Sequence, residues 1–323
     1  MRELILTSAP HVRSGSQLKN IMYDVALALL PATVWSVYKF GMPALNVILF
    51  ALASGLAFEA LSLYMQRKKN ILSITFDGSA IVTALLLALN LPSSSPAWLV
   101  ITGSFVAIVI AKHTFGGLGY NIFNPALVAR VFLLISFPVQ MTKWLAPGSF
   151  GVDAETIATP LDLIKTEGAA GIEKITSDYT TLDFFLGNTG GSMGEVSAAM
   201  LLLGALYLMV RKVITWEVPI TILASLFAFT GIFYLVNDAE YASPVLHLLS
   251  GGAILGAFFM ATDMVTSPMT RKGMIIFGVS IGIITGLIRL FGGYPEGISF
   301  AIIIMNAVVP IIDKYTRVKK FGT

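Results

Sequence analysis

Gly78-Ser79-Ala80-Ile81-Val82-Thr83-Ala84-Leu85-Leu86-Leu87-Ala88 is echoed about 173 positions later by Gly251-Gly252-Ala253-Ile254-Leu255-Gly256-Ala257-Phe258-Phe259-Met260-Ala261. Gly78 falls on Gly251, Ala80 on Ala253, Ile81 on Ile254, Ala84 on Ala257 and Ala88 on Ala261, and Ser94 then falls on Ser267. A second echo sets Phe115-Gly116-Gly117 against Phe291-Gly292-Gly293. Small residues that keep their places in an apolar chain mark close helix packing. Two related halves are therefore expected.

The rest of the chain says what those halves are made of. Apolar residues make up 56% of it and charged residues 12%, about half the charge of a soluble domain. Apolar runs long enough to cross about 30 Å of hydrocarbon recur to the end, most of them closed by Lys, Arg, Pro or Gly. We place about ten spans, at 21–38, 43–65, 78–91, 97–112, 125–142, 193–210, 214–236, 245–262, 273–291 and 296–313. The first run follows a polar segment and is long enough to stay in the membrane, so no cleaved signal peptide is expected. The expected fold is an all-α integral membrane protein: two inverted five-helix repeats with broken helices and an external loop region. Residues 1–142 form the first repeat with its cytoplasmic N-terminal segment, 143–192 the external region, and 193–323 the second repeat with its cytoplasmic tail. The third and eighth spans, which carry the echo, then run in opposite directions.

Basic residues orient the bundle. Lys19, Arg67, Lys68, Lys69, Lys112, Arg211, Lys212, Arg271, Lys272 and the tail cations share one face, which the positive-inside rule makes cytoplasmic. Lys39, Lys143, Lys165 and Lys174 lie opposite, with Arg289 near that edge. Both termini are thus expected inside and the 143–192 region outside. The net charge of +3 reflects this arrangement and gives no reason to invoke nucleic acid.

Inverted repeats place binding sites between broken helices. The breaks here are Thr75-Phe76-Asp77-Gly78, Asn90-Leu91-Pro92, Asn121-Ile122-Phe123-Asn124-Pro125 and Thr262-Asp263-Met264-Val265-Thr266-Ser267-Pro268. Each joins Gly or Pro to hydrogen-bonding side chains, so free backbone N–H groups can meet an anion or a polar ring. An ordinary surface loop would read the same way. With no Cys in the chain, thiolate-held iron–sulfur clusters and disulfides are excluded. His11, His113 and His247 are scattered, which argues against a bis-His haem. Asp24, Glu59 and Arg130 fall within spans. The first two could lie on an ion path and Arg130 could hold an anionic group, or each could simply be capped or paired.

Outside the spans, Asp153-Ala154-Glu155-Thr156-Ile157-Ala158-Thr159-Pro160-Leu161-Asp162 reads as the start of a helix. Thr159 is its N-cap, Pro160 its first residue and Asp162 the capping-box partner. A hydroxyl at that position also sits where a phosphate is electrostatically favoured.

These stretches carry a family resemblance. Thr75-Phe76-Asp77-Gly78, the loop Gly116 to Ala126, Ala158-Thr159-Pro160-Leu161 and Gly191-Ser192-Met193-Gly194-Glu195 resemble the RnfD component of the Rnf ion-translocating electron-transport complexes. More distantly they resemble the corresponding membrane component, NqrB, of the sodium-translocating NADH:quinone oxidoreductases. The resemblance implies that Thr159 carries FMN through a phosphoester, within a motif formed by Asp153, Thr156, Ala158 and Thr159 and followed by Pro160. Ile157 stands where the family has a small residue. It further implies a riboflavin in the membrane region, for which Asn121, Asn124, Arg130, Thr262 and Asp263 are the candidate polar contacts. The implied setting is a prokaryotic cell membrane, with Thr159 on the external face. The chain would be one component of a ferredoxin:NAD oxidoreductase coupled to Na+ or H+ transport, inactive alone. Its partners would be iron–sulfur subunits, a second subunit with covalent FMN and, during maturation, a flavin transferase. A channel or secondary transporter with the same broken helices and no redox cofactor is the alternative, and a cofactor-free scaffold a third reading.

Overall fold

The computed structural model describes residues 18–148, 156–195 and 197–316. Asp153 lies outside these residues, as do Arg2, His11, Arg13 and the cations of the tail beyond Thr316.

Helices stand at all ten expected places. α1 (Leu18–Phe40) and α2 (Met42–Met65) are separated by Gly41 at φ 66, a turn with Pro43 just inside the second helix. A short α3 (Ile71–Thr75) leads to α4 (Ser79–Leu89). α5 runs from Ala97–Phe105 into a wider π-helical end at Val106–His113, and α6 (Pro125–Ser136) follows. Phe137 ends α6 because Pro138 disfavours helical backbone before it, and the one-turn α7 (Pro138–Met141) takes over. The external region contains β1 (Trp144–Leu145), β2 (Thr156–Ile157), α8 (Pro160–Glu167), α9 (Ala169–Asp178) and α10 (Thr181–Leu186). Then come α11 (Ala198–Val210), α12 (Glu217–Val236) and α13 (Pro244–Leu249). α14 runs from Ala253–Leu255 into a π-helical Gly256–Met260, and α15 (Arg271–Phe291) and α16 (Ile298–Tyr315) close the chain.

Five of these helices, α1, α2, α12, α15 and α16, are long and apolar enough to cross a membrane. The chain is an all-α multi-pass membrane protein. α4, α6 and α11 are shorter than a full crossing, about 1.5 Å per residue leaving each of them short of the hydrocarbon thickness. The expected 245–262 span is two pieces, because Gly251 and Gly252 both take left-handed backbone, φ 67 and φ 64, between α13 and α14. Gly78 does the same before α4, at φ 94. A side chain at Gly78 would also strike Met22 Cβ at 2.8 Å, so glycine is required there twice over.

The same packing scheme recurs in both stretches of the chain. α2 packs on α4 and α5, as α12 packs on α14 and α15. α5 packs on α6 as α15 packs on α16, and α4 meets α6 as α14 meets α16. α1 joins α11 across the middle, and α6 joins α16. α4 and α14 lie antiparallel at the centre. Leu89, which ends α4, and Leu255, near the start of α14, both press on Gly194, while Ser79, which starts α4, shares a cavity with Thr262, just past the end of α14. Asn90 reaches across to the sulfur of Met260 at 3.8 Å.

The longest seam joins α12 to α15. Gly278, Gly282 and Gly286 present bare backbone to Thr221, Ser225 and Phe229, and a Cβ on Gly282 would stand 2.0 Å from Ser225 Oγ and 2.5 Å from the Ile222 carbonyl. Contact this close between helices is the usual reason for small residues at four-residue spacing. Gly282→Leu is expected to cost about 1–3 kcal/mol through overpacking. A lowered unfolding midpoint in detergent checks this; an unchanged midpoint would mean that α12 and α15 do not meet here.

Candidate functional site

Two polar sites flank the antiparallel pair α4 and α14. The first surrounds Thr159. β1 and β2 pair antiparallel, Trp144 opposite Ile157 and Leu145 opposite Thr156, and this ladder delivers Ala158 and Thr159 to the start of α8. Two-residue strands carry no sequence period, so nothing in the sequence marks the ladder. Thr159 caps α8 as expected: its Oγ1 accepts from the Asp162 backbone N–H at 3.1 Å. The reciprocal bond differs from a standard capping box. The Asp162 carboxylate accepts the Thr159 hydroxyl proton at 3.0 Å, where the box would have it accept from the N-cap backbone. Burial pushes the Asp162 carboxyl above its ordinary range, against the opposing pull of the Thr159 hydroxyl.

Thr159 is only 4% exposed, while Thr156 and Ala158 just before it are exposed. It lines a small cavity with Pro160, Leu161, Thr189, Gly190, Gly191, Glu195, Leu249, Ser250 and Gly251. Thus α8 rests directly on the break between α13 and α14. Beneath it Arg289 donates to the carbonyls of Ser250 at 3.0 Å, Gly251 at 2.9 Å and His247, closing the open end of α13.

Arg130 belongs to this side as well. The sequence groups it with Asn121 and Asp263; the structure places it elsewhere. It is 4% exposed, and its Nη1 donates to Asn90 Oδ1 at 2.8 Å and Ser299 Oγ at 2.9 Å. Its Nη2 pairs with Glu195 at 3.4 Å and with Glu296. Neither glutamate stands out in the sequence as a partner for it, because each falls at the edge of an expected span, where a carboxylate is ordinary. Ser192 Oγ, Arg289 Nε and both ring nitrogens of His247 are buried around the same break without a hydrogen-bond partner among the described residues. Unsatisfied buried polar atoms are rare enough to need a reason.

The second site lies on the other side of α4 and α14. Asn121, Asn124, Thr262 and Asp263 line one cavity, as the sequence groups them, together with Ser79, Thr83, Lys112 and the apolar Met22, Val25, Leu86, Phe258 and Phe259. The cavity has a volume of about 100 Å³. Asn124 caps α6 by accepting from Ala126 N at 3.1 Å and Leu127 N at 3.4 Å, and donates to the Met260 carbonyl at 3.2 Å. Asp263 accepts from Val265 N at 3.2 Å, Thr266 Oγ1 at 3.3 Å and Asn121 Nδ2 at 3.4 Å. No cation pairs with Asp263 among the described residues.

Lys112 is the wall residue that sequence reasoning sets aside as a cytoplasmic end charge. It is 2% exposed. Its Nζ donates to both Glu59 oxygens and to Ser79 Oγ, each at 2.8 Å. His113 Nε2 lies 3.1 Å from the same carboxylate, and Gln66 reaches His113 Nδ1 at 3.1 Å. A lone cation in the last turn of an apolar helix, opposite a lone carboxylate on another, is the signal the sequence offers. Asp24 sits apart, accepting from Tyr207 Oη at 2.9 Å and pairing with a well-exposed Arg211 at 3.1 Å.

Comparison with known proteins agrees with this architecture. Residues 5–322 match the NQR2, RnfD, RnfE family. The chain is 45% identical to the RnfD-type component of the proton-translocating ferredoxin:NAD(+) oxidoreductase complex of Clostridium ljungdahlii, over 98% of this chain and 96% of that one. It is 43% identical to its counterpart in the Na(+)-translocating ferredoxin:NAD(+) oxidoreductase complex of Acetobacterium woodii, over 100% of this chain and 97% of the other. The counterpart in the ion-translocating oxidoreductase complex of Vibrio cholerae is 41% identical, over 98% and 99% respectively. The chain belongs to the NQR2, RnfD, RnfE family.

The Lys112–Glu59 pair lends itself to a direct test. Removing one partner of a buried pair strands the other charge and costs about 3–5 kcal/mol, whereas removing both is far milder. Lys112→Met is therefore expected to lose most folded protein in detergent, and the Lys112→Met/Glu59→Gln double variant to recover it. Equal losses for the single and double variants would show that the pair is not what buries these groups.

Proposed function

We propose that the chain, as a member of that family, is a flavin-carrying membrane component of an ion-translocating ferredoxin:NAD oxidoreductase complex in a prokaryotic cell membrane. FMN would be held covalently by a phosphoester to Thr159, and a second flavin, riboflavin, non-covalently in the cavity of Asn121, Asn124, Thr262 and Asp263. One observation carries this reading: Thr159 caps a helix N-terminus set against the α13–α14 break and lines a cavity there. Such a setting fits a bound polar group. Helix dipole and free N–H groups favour a phosphate at Thr159.

A bound flavin would supply one- and two-electron chemistry that no side chain of this chain provides. The chain's own residues would set where the ring sits and how polar its surroundings are. On the second site, the Asp263 carboxylate and the Asn121 amide stand at the edge of an apolar slot, the pattern that orients a planar heteroaromatic ligand. Thr159 would face outside and both termini inside, since Arg67, Lys68, Lys69, Arg211 and Lys212 lie at the other end of the bundle. Iron–sulfur subunits and a second covalent-FMN subunit would complete the electron path, and a flavin transferase would load Thr159. The named relatives at 45% and 43% identity belong to proton- and sodium-translocating complexes respectively.

Expression with a flavin transferase followed by denaturing electrophoresis is expected to show a fluorescent band that Thr159→Ala abolishes. A wild-type band with no flavin would turn the reading toward a channel or carrier, tested by solute flux in liposomes. On the second site, Asn121→Ala and Asp263→Asn are each expected to lower retention of non-covalent flavin by about tenfold, the loss of one good hydrogen bond to a ligand, while leaving the fluorescent band intact. Extraction and chromatography of released riboflavin reads this out.

A further inference from the structure

The folded chain hides the hydroxyl that the flavin reading requires to be modified. Thr159 Oγ1 both accepts from Asp162 N and donates to the Asp162 carboxylate, and the residue is 4% exposed. On one side Ile157 fills the space over Gly190, where a Cβ would lie 2.7 Å from Ile157 Cδ1. On the other, Leu161 fills the space over Gly251, where a Cβ would lie 2.2 Å from Leu161 Cδ1. The two glycines let the segment seat itself that closely. Leu161 is itself buried, so it anchors the first turn of α8 on the α13–α14 break.

Resting on the flavin reading above, we propose that Thr159 is modified before its segment docks, and that Leu161 seated on Gly251 is the latch that closes over the finished site. Attachment forms a bond from Thr159 Oγ1 to the phosphorus of the flavin phosphate and breaks the phosphoanhydride of a flavin dinucleotide. The nucleoside monophosphate leaves and the hydroxyl proton passes to water. In the docked state the oxygen is committed to Asp162 twice, and a carboxylate stands where the incoming phosphate would bring further negative charge. Reaching Oγ1 thus requires opening the first turn of α8, a local unfolding with its own free energy. Once the ester has formed, the Asp162 N–H remains at a helix N-terminus, where negative charge is favoured.

The test uses the complete complex made in a host without a flavin transferase, so that every chain folds unmodified. Purified transferase and flavin dinucleotide are then added to the membranes, and loading is followed by in-gel flavin fluorescence. Leu161→Ala removes the anchor. Gly251→Ala expels it from the opposite side and changes nothing in the segment 153–162 that the transferase would read. Both variants are expected to load about tenfold faster than wild type or more, as a latch of about 1.4 kcal/mol requires, while all three reach the same level when the transferase is co-expressed. Wild-type chain that loads after folding as fast as both variants would overturn the latch. A wild-type chain that stays dark even with co-expressed transferase would remove the flavin reading itself, and this inference with it.

Discussion

A helix that stops inside hydrocarbon leaves N–H and C=O groups that no water can reach, and each must find a partner within the protein. This constraint explains where the buried charges of this chain lie. α13 ends at a left-handed glycine pair, and its open carbonyls are taken by Arg289. α4 begins after a left-handed glycine, and Asp77 Oδ1 accepts from Ser79 N at 2.7 Å while Ser79 Oγ meets Lys112. At the far ends, Asn90 donates to the Leu86 carbonyl at 2.6 Å and Asn124 to the Met260 carbonyl at 3.2 Å. The polar side chains that look functional in the sequence are first of all helix terminators.

Termination and binding then share residues. A break must be lined with donors and acceptors, and any donor left over can serve a ligand. On the Thr159 side leftovers remain, because Arg289 satisfies carbonyls through its two terminal nitrogens and leaves Nε unpaired among the described residues. On the opposite side Asp263 is held by hydrogen bonds alone. By contrast Lys112 is fully answered, Glu59 and Ser79 taking all three ammonium donors. Closure of that pair makes it a wall of the cavity. A group that approached from the cavity would have to displace Ser79 or Glu59 to reach the ammonium.

The paired turns at Gly78 and Gly251 are visible in the sequence because small residues at a fixed offset record backbone contact: both take left-handed backbone. Thr159 is legible as a cap because capping is local, a matter of the four positions from Thr159 to Asp162. Arg130 is misplaced by sequence reasoning for the opposite reason. Its partners are Asn90, Glu195, Glu296 and Ser299, scattered along the chain and assembled only when α6 meets α16. The lengths of the central helices are likewise out of reach of hydropathy, which is as high in a half-helix buried in protein as in one that crosses lipid. α4, nearly all of whose residues are buried, looks apolar because protein surrounds it.

Placing one site on each side of an antiparallel pair of half-helices has a mechanical consequence. Glu195 lines the Thr159 cavity and pairs with Arg130; Arg130 holds Asn90; Asn90 touches Met260; the Met260 carbonyl holds Asn124, which lines the second cavity. These links lie inside the protein and each joins different segments of the chain, so the spacing between the cavities is set by side-chain contacts as well as by helix packing. Two redox groups exchanging electrons need a separation that does not drift, and the protein's part in such chemistry is to fix distance and surroundings. A carrier built on the same broken helices needs the opposite, since alternating access requires one half to rock against the other. Arg130, on α6, ties the end of α4 and α16 to the loop before α11 through Glu195, and that cross-brace suits a scaffold meant to stay still.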